Sequence, residues 1–170
     1  MRWRDVDHEA CAVTLAAEVI GDRWSVLVLR EVLNGVRRFD DIQGHIGVSR
    51  SVLAQRLRDL IAAGVLEKRE IRPDGDRARH EYRLTAMGRD LQPVMHALMD
   101  FGDRWLTGRD EPTVVVRHRG CAAQVHVTSV CDAGHVIDDP RELYGEVGAA
   151  PPPAVPGPTA APDLPADASR

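Results

Sequence analysis

The hydrophobic pattern of the chain changes its period at Gly64, and this change limits the folds that the chain can adopt. Four apolar residues before it recur at helical spacing and would form one buried stripe: Leu53, Leu57, Leu60 and Ile61. Ser49 is placed to cap that helix. Beyond Gly64 the pattern alternates with period two through residues 65–72 and 80–84, around a Pro-Asp-Gly turn. The sequence therefore predicts a helix over residues 49–64, followed directly by a β-hairpin.

The segment before this pair predicts three more helices. Apolar spacing predicts the first over roughly residues 9–20, and Asp22 is placed to cap the second over roughly residues 23–34. A short third helix is expected within residues 39–49, where Gly47 allows a tight turn. The turn would join this third helix directly to the one that Ser49 caps.

A long helix is also predicted after the hairpin, because Thr85 can cap it and an apolar stripe continues to Trp105. Pro93 would either kink that helix or mark its true start. The stripe exceeds what a small core needs, so it favours a dimer interface shared with the first helix. The candidate interface residues are Leu15, Leu91, Met95, Leu98 and Trp105. The alternative is that the stripe packs on its own domain, above all from Phe101 to Trp105.

Two helices joined by a glycine turn and followed by a basic hairpin are typical of a winged helix-turn-helix, which is an α+β fold. At about 100° per residue, Ser51, Gln55 and Arg58 point away from the buried stripe. Such a helix fits the DNA major groove, where Gln can pair with adenine and Arg with guanine. Nearby arginines can neutralise phosphates. The candidate DNA contacts are Arg38, Ser49, Arg50, Ser51, Gln55, Arg58, Arg77 and Arg79.

The net charge of −4 would argue against a nucleic-acid partner if it were evenly spread. Residues 1–110 hold 18 basic and 18 acidic side chains, whereas residues 111–170 hold 4 basic and 8 acidic ones. The excess of acid therefore belongs to the carboxy-terminal region, which DNA need not contact. The alternative reading of charged residues such as Arg56 and Asp59 is that they merely solvate a surface helix.

Several separate motifs in this order resemble the HxlR-type winged-helix regulators, relatives of the MarR group. The motifs are Cys11, IGDRW (20–24), LREVL (29–33), GVRRF (35–39), IGVS (46–49), LAQRLRDL (53–60), GVL (64–66) and YRLTAMG (82–88). The resemblance covers about residues 11–105. It implies a homodimer with long amino- and carboxy-terminal dimerisation helices, whose two recognition helices address a near-palindromic DNA site. It also implies a regulator of transcription, with a repressor as the expected kind.

Cys11 stands where some members of the resembling family carry a cysteine that senses oxidants or electrophiles. The positive end of the first helix, with His8 close by, would favour a thiolate there. The acidic residues Asp5, Asp7 and Glu9 would disfavour it. Packing on an apolar helix is the alternative role for a single cysteine. A small-molecule effector is the alternative to an oxidant signal.

The carboxy-terminal part divides into a small extension, residues 109–148, and an Ala/Pro-rich tail, residues 149–170, which is expected to be disordered and holds 7 of the 11 prolines. Residues 1–108 would be the winged-helix domain. Alternating apolar residues predict a further small hairpin within residues 114–130. No cofactor is expected, although His118, Cys121, Cys131 and His135 could hold zinc.

Two alternatives to zinc stay open for these residues. The hairpin could bind nothing, or Cys121 and Cys131 could form a disulfide. The segment is similar to extensions of some actinobacterial members that carry a fuller cysteine set, and a cysteine is missing here near Gly134. The odd, sparse set of three cysteines favours reduced thiols over a disulfide framework.

Two other functions compete with DNA binding. One is a winged helix that binds protein partners without reading DNA. The other is an enzyme in which Cys11 is the nucleophile and His8 the base, and the chain lacks a phosphate-binding glycine loop or a paired-carboxylate site that would support it. No apolar run reaches the roughly 20 residues that cross a bilayer, so a cytoplasmic protein without membrane contact is expected.

Overall fold

The structure is a computed structural model that describes residues 7, 9, 11–72 and 79–145. Its elements in the amino-terminal part are α1 (Ala12–Ile20), α2 (Arg23–Leu33), α3 (Phe39–Ile46), α4 (Arg50–Ala62), β1 (Leu66–Ile71), β2 (Arg79–Leu84), α5 (Ala86–Asp90) and α6 (Gln92–Trp105). Two short strands follow, β3 (Ser129–Val130) and β4 (Val136–Ile137). His8, the Pro-Asp-Gly turn with Arg77, and the tail of residues 149–170 lie outside the described residues.

The first two helices begin directly after Cys11 and Asp22. Cys11 is the residue before α1, which therefore begins later than the predicted residue 9. The Asp22 carboxylate accepts hydrogen bonds from the backbone N–H groups of Trp24 (3.0 Å) and Ser25 (3.1 Å). These bonds satisfy two of the four N–H groups that a helix leaves without partners at its start, and they fix the beginning of α2.

The α3–α4 pair is the helix-turn-helix that the sequence predicts. Gly47 joins the two helices with φ +68°, a left-handed conformation that glycine adopts without strain. The hydroxyl of Ser49 then accepts a hydrogen bond from Val52 N and caps α4. Three of the four predicted stripe residues are fully buried: Leu53, Leu57 and Leu60. Ile61 is only partly buried and packs at the edge of the core, which corrects its predicted place.

Strands β1 and β2 form the antiparallel hairpin that follows α4, with a register that runs from Leu66 opposite Leu84 to Ile71 opposite Arg79. Leu66 and Tyr82 are buried and carry the core onto the hairpin. The backbone N–H of Tyr82 donates to the carbonyl of Arg37 at 2.8 Å. This bond ties the hairpin to the segment that leads into α3.

Two helices replace the single long helix predicted after the hairpin. Thr85 caps the short helix α5 by accepting a hydrogen bond from Gly88 N. Helix α6 then starts at Gln92 with Pro93 in its first turn. Because proline has no N–H to donate, it is best tolerated in a first turn, where no such bond is needed. The alternative that Pro93 marks the true start of the helix is therefore confirmed.

The extension after α6 contains part of the hairpin predicted within residues 114–130. Arg117 and Gln124 form an antiparallel bridge there, and His118 N and Val125 N donate to the carbonyls of Ala123 and Val116, each at 2.9 Å. A second antiparallel pair, β3 with β4, follows and encloses residues 131–135, which the alternation did not predict. None of residues 107–145 is buried, so no buried face sets the register of either pair.

Candidate nucleic-acid interface

The outer face of α4 presents the three polar side chains that the sequence places there. Ser51, Gln55 and Arg58 are all exposed, while the leucines one turn away are buried. The amide Nε2 of Gln55 donates to Asp59 Oδ1, and Nη2 of Arg58 donates to Gln55 Oε1, each at 2.6 Å. These contacts hold Gln55 and Arg58 side by side, with their hydrogen-bonding edges on one face of the helix.

The start of α4 carries Ser49 and Arg50. The Ser49 hydroxyl is occupied by the cap and lies 3.2 Å from that of Ser51. The Arg50 guanidinium donates to Asp40 Oδ1 at 2.6 Å, and its carbon lies 4.8 Å from the centre of the Phe39 ring. Arg50 is thus held against the start of α3 rather than on the outer face of α4.

A shallow groove of about 320 Å³ lies between the start of α3 and the hairpin. We call it the basic groove. The residues of the described chain that line it are Arg38, Phe39, Asp40, Lys68, Arg79, His80 and Tyr82. It brings together two predicted DNA contacts, Arg38 and Arg79, from elements far apart in sequence. Lys68 and His80 were not predicted from the sequence, although the period-two alternation places both on the same face of the hairpin as Tyr82.

A buried carboxylate on α2 binds a side chain of the helix-turn-helix. Glu31 of α2 is only 2% exposed and accepts hydrogen bonds from His45 of α3 and from Arg30, whose Nε lies 2.9 Å away. Burial raises the pKa of the Glu31 carboxyl, but the hydrogen bonds from His45 and Arg30 outweigh this and hold the pKa below its usual value. An ionised Glu31 therefore links α2 to α3.

The five predicted dimer residues fall into two groups. Leu91 and Met95 are partly buried and pack against the core. The other three are exposed in the single chain: Leu15 by 50%, Leu98 by 48% and Trp105 by 70%. Phe101 and Leu106 extend the exposed surface at the end of α6. Helices α1 and α6 thus present apolar side chains that no part of the described chain covers.

Cys11 is half-buried at the start of α1. The backbone N–H groups of Thr14 and Val13, at the start of α1, lower the pKa of its thiol. This is the effect expected at the positive end of a helix. The Cys11 thiol therefore loses its proton more readily than an unperturbed cysteine thiol does.

The four candidate zinc ligands lie in two separate turns of the extension. His118 Nδ1 is 3.3 Å from Cys121 Sγ, and Cys131 N donates to the carbonyl of His135 at 3.1 Å. All three cysteines of the chain are free thiols. Within residues 7, 9, 11–72 and 79–145, no three His, Cys, Asp or Glu side chains are grouped closely enough to hold a metal ion. Zinc binding stays a prediction.

None of the helices in the described parts of the chain is long and apolar enough to cross a membrane. The helix-turn-helix, the polar face of α4 and the basic hairpin together define the class: a winged helix-turn-helix protein. A family model for HxlR-like helix-turn-helix proteins matches residues 19–110, and the chain belongs to this family. It is a transcriptional regulator of the helix-turn-helix type.

Similar proteins agree with this assignment. The chain is 37% identical over 133 residues to the HTH-type transcriptional regulator Rv3095 of Mycobacterium tuberculosis, a match that covers 77% of this chain and 83% of the relative. The crystal structure of PA1607, described as a transcription factor, matches with a TM-score of 0.70 at 29% identity, over 81% of this chain and 95% of that one. The redox regulator HypR in its oxidised form matches with a TM-score of 0.50 at 25% identity, over 59% of this chain and all of HypR.

Proposed function

We propose that the chain is a sequence-specific repressor that binds near-palindromic duplex DNA as a homodimer, with α4 of each protomer in a major groove. One observation carries this proposal. Leu53, Leu57 and Leu60 anchor one face of α4, so the face with Gln55 and Arg58 is held rigidly toward the outside. Where these two side chains read bases, each good pair contributes roughly 1–3 kcal/mol of discrimination. Because its partner would be chromosomal DNA, the proposed place of action is the cytoplasm.

Selection of binding sites from random duplexes, followed by sequencing, tests the proposal and yields the operator. Arg58→Ala should then relax the preference at one position of each half-site. Arg119→Ala removes the same charge from an exposed position of the extension and should leave the selected sequence unchanged. If no duplex bound the wild-type chain at low salt, a protein-binding winged helix would replace this proposal.

The dimer part of the proposal is supported by the exposed apolar residues of α1 and α6. A single winged helix contacts one half-site, whereas a symmetric pair addresses two half-sites. Trp105→Asp places a charge among these side chains and should give a monomer by mass measurement in solution, with much weaker operator binding. Tyr144→Asp alters an exposed aromatic residue of the extension and serves as the matched control. A Trp105→Asp chain that still formed the dimer would exclude this interface.

We also propose that the regulator responds to an oxidant through Cys11, with a small-molecule effector as the alternative signal. Support comes from the lowered thiol pKa and from the similarity to HypR, itself a redox regulator. With a hydroperoxide, the thiolate sulfur would attack one peroxide oxygen, the O–O bond would break, and the leaving alkoxide would take up a proton. The products are a sulfenic acid and an alcohol.

Mass measurement after mild hydroperoxide treatment, combined with DNA binding, tests this response. The wild-type chain should gain one oxygen and lose affinity for its operator, while Cys11→Ser should keep its affinity. Cys121→Ser is the matched control, because it removes a free thiol of the extension and should respond like the wild type. An equal loss of affinity in the Cys11→Ser chain would exclude Cys11 as the sensor.

An enzyme with Cys11 as nucleophile is less well supported. The base it would need, His8, lies outside the described residues. Rv3095 and the family model are named for transcription regulation and a DNA-binding motif rather than for a reaction. We therefore propose that the thiol serves regulation and not catalysis.

A further inference from the structure

The basic side chains on the two faces of the hairpin differ in their ion pairs. On the outer face, Arg69 pairs with Glu67 at 2.6 Å and Arg83 pairs with Glu81 at 2.9 Å. Neighbouring carboxylates therefore neutralise these arginines. In contrast, Lys68, which lies between Glu67 and Arg69 but faces the basic groove, has no carboxylate partner anywhere in the described chain.

Two neighbours of Lys68 in the basic groove also lack a carboxylate partner in the described part of the chain. Arg38 and His80 line the same groove, and neither pairs with a carboxylate among the described residues. Glu70, which lies opposite His80 in the hairpin, is bound by Arg72 at 2.7 Å. Among the described residues, Asp40 is the one carboxylate that lines the groove, and it is bound by Arg50. Lys68 and Arg38 therefore give this part of the groove an excess of positive charge that an external anion can neutralise.

The position of the groove indicates which anion this is. Phe39 lines the groove, and its ring lies 4.8 Å from the guanidinium of Arg50, the first residue of α4. A duplex that receives α4 in its major groove must pass its sugar-phosphate backbone along the side of that helix. The backbone beside the start of α4 would then lie over the basic groove.

We infer that the basic groove binds one phosphate of the DNA backbone, with Lys68 as a contact residue beside Arg38. This inference rests on the proposed function. The hydrogen bond from Tyr82 N to the carbonyl of Arg37 holds the hairpin against the segment before α3, so the two cations keep a fixed spacing. Lys68 would position the protein on the duplex and would read no base.

The salt dependence of operator binding tests the inference. Each phosphate contact contributes about −0.9 to the slope of log K against log salt concentration. Because each protomer of the proposed dimer would lose one contact, Lys68→Gln should make that slope shallower by nearly two units and weaken binding by roughly 50-fold at 0.1 M salt. The loss should be the same for operator and random duplex, because a phosphate contact carries no sequence information.

Two variants keep the test decisive. Arg69→Gln removes the same charge from the next residue, on the opposite face of the hairpin, and should leave the slope unchanged. Lys68→Arg keeps the charge in the groove and should keep the slope, which separates the loss of a contact from damage to the fold.

A wild-type slope in the Lys68→Gln chain would overturn the inference while leaving DNA binding intact, and an equal change in the Arg69→Gln chain would overturn it as well. A small phosphorylated effector is the other possible occupant of the groove. Two results together would support the effector: inorganic phosphate would raise the melting temperature of the wild-type chain but not of the Lys68→Gln chain, and the two chains would show equal salt slopes for DNA binding. The inference of a backbone phosphate in the groove would then be overturned. Failure of the wild-type chain to bind any duplex would instead overturn the proposed function.

Discussion

The winged helix unit (residues 12–105) and the extension (residues 107–145) differ in what their apolar side chains contact. In the unit, residues from α2, α3, α4 and the hairpin meet in one buried cluster. In the extension, no residue is buried, and valines such as Val130 and Val136 are more than half exposed. Burial of apolar surface is the main source of folding free energy, so the unit should supply nearly all of the stability of the chain.

The extension is held instead by backbone hydrogen bonds across its turns. His118 N donates to the carbonyl of Ala123 at 2.9 Å, and Cys131 N donates to that of His135 at 3.1 Å. Each such bond contributes only about 1 kcal/mol net, because water offers the same groups similar bonds in the unfolded chain. The family match also ends at residue 110, close to the end of the unit. The comparison predicts that equivalent substitutions have unequal effects in the two regions.

The largest difference is expected between Leu57→Ala and Val130→Ala. Leu57 is 1% exposed at the centre of the cluster, and its truncation leaves a cavity. The free energy of unfolding should fall by about 2–5 kcal/mol. Val130→Ala should change it by less than about 0.5 kcal/mol. Urea unfolding followed by circular dichroism measures both values. Similar losses in the two variants would mean that the extension is buried in solution.

The next difference concerns two glycines. A Cβ at position 88 would lie 2.2 Å from the carbonyl oxygen of Val65, so Gly88→Ala must push α5 away from the hairpin. We expect a loss of about 1–3 kcal/mol in the unfolding free energy. Gly134, with φ +84° and open space around it, lies in the β3–β4 turn. Gly134→Ala should strain that turn by about 1–2 kcal/mol without moving the main urea transition. A shift of the main transition in both variants would show that the two regions unfold together.

The unit could be predicted from sequence because its signals are local and repeated. The spacing of Leu53, Leu57 and Leu60 fixes which face of α4 is buried, and the outward direction of Gln55 and Arg58 follows from the turn of the helix alone. The caps by Asp22 and Ser49 were predicted for the same reason, and the structure confirms both.

The remaining features depend on contacts between distant segments. The basic groove exists because Tyr82 binds the carbonyl of Arg37, and no local pattern shows which strand face meets α3. Ile61 lies at the edge of the stripe, where small rotations of α4 decide burial. The strand pairing of the extension was predicted only in part, because an exposed segment has no buried face to set its register. The predicted domain boundary at residue 108, like the roles of Cys11 and of the zinc candidates, stays a prediction.

A third comparison concerns two carboxyls whose pKa is lowered, one in each region. Glu31 is buried and bound by His45 and Arg30, whereas Asp139 is bound by Arg141 in the extension. Glu31→Gln should lower the unfolding free energy by about 1–2 kcal/mol at pH 7, because it removes a charged acceptor from these bonds. Asp139→Asn should leave the main urea transition unchanged.

The effect of Glu31→Gln should also depend on pH in a defined direction. Because the folded-state pKa of Glu31 lies below its unfolded value, its ionised form stabilises the fold above the unfolded pKa. That contribution is lost as the pH falls through the folded pKa. The difference between wild type and Glu31→Gln should therefore be full at pH 7 and shrink below about pH 4. A difference that grew on acidification would contradict the ionised state of buried Glu31.

The smallest effect is expected from removal of the whole carboxy-terminal part. A chain that ends at Gly108 keeps every buried apolar residue of the cluster, and it loses only exposed or half-buried side chains among the described residues. Its free energy of unfolding in urea should match that of the full chain within about 0.5 kcal/mol, and the slope of the transition should fall little because little apolar surface is lost. A loss above about 2 kcal/mol would mean that residues 109–145 cover part of the unit, for example the exposed end of α6 at Trp105. Operator binding by the shortened chain would then separate the two causes. If only the cover over the unit were lost, α4 would stay intact and should still bind DNA, whereas a loss of the fold would abolish binding.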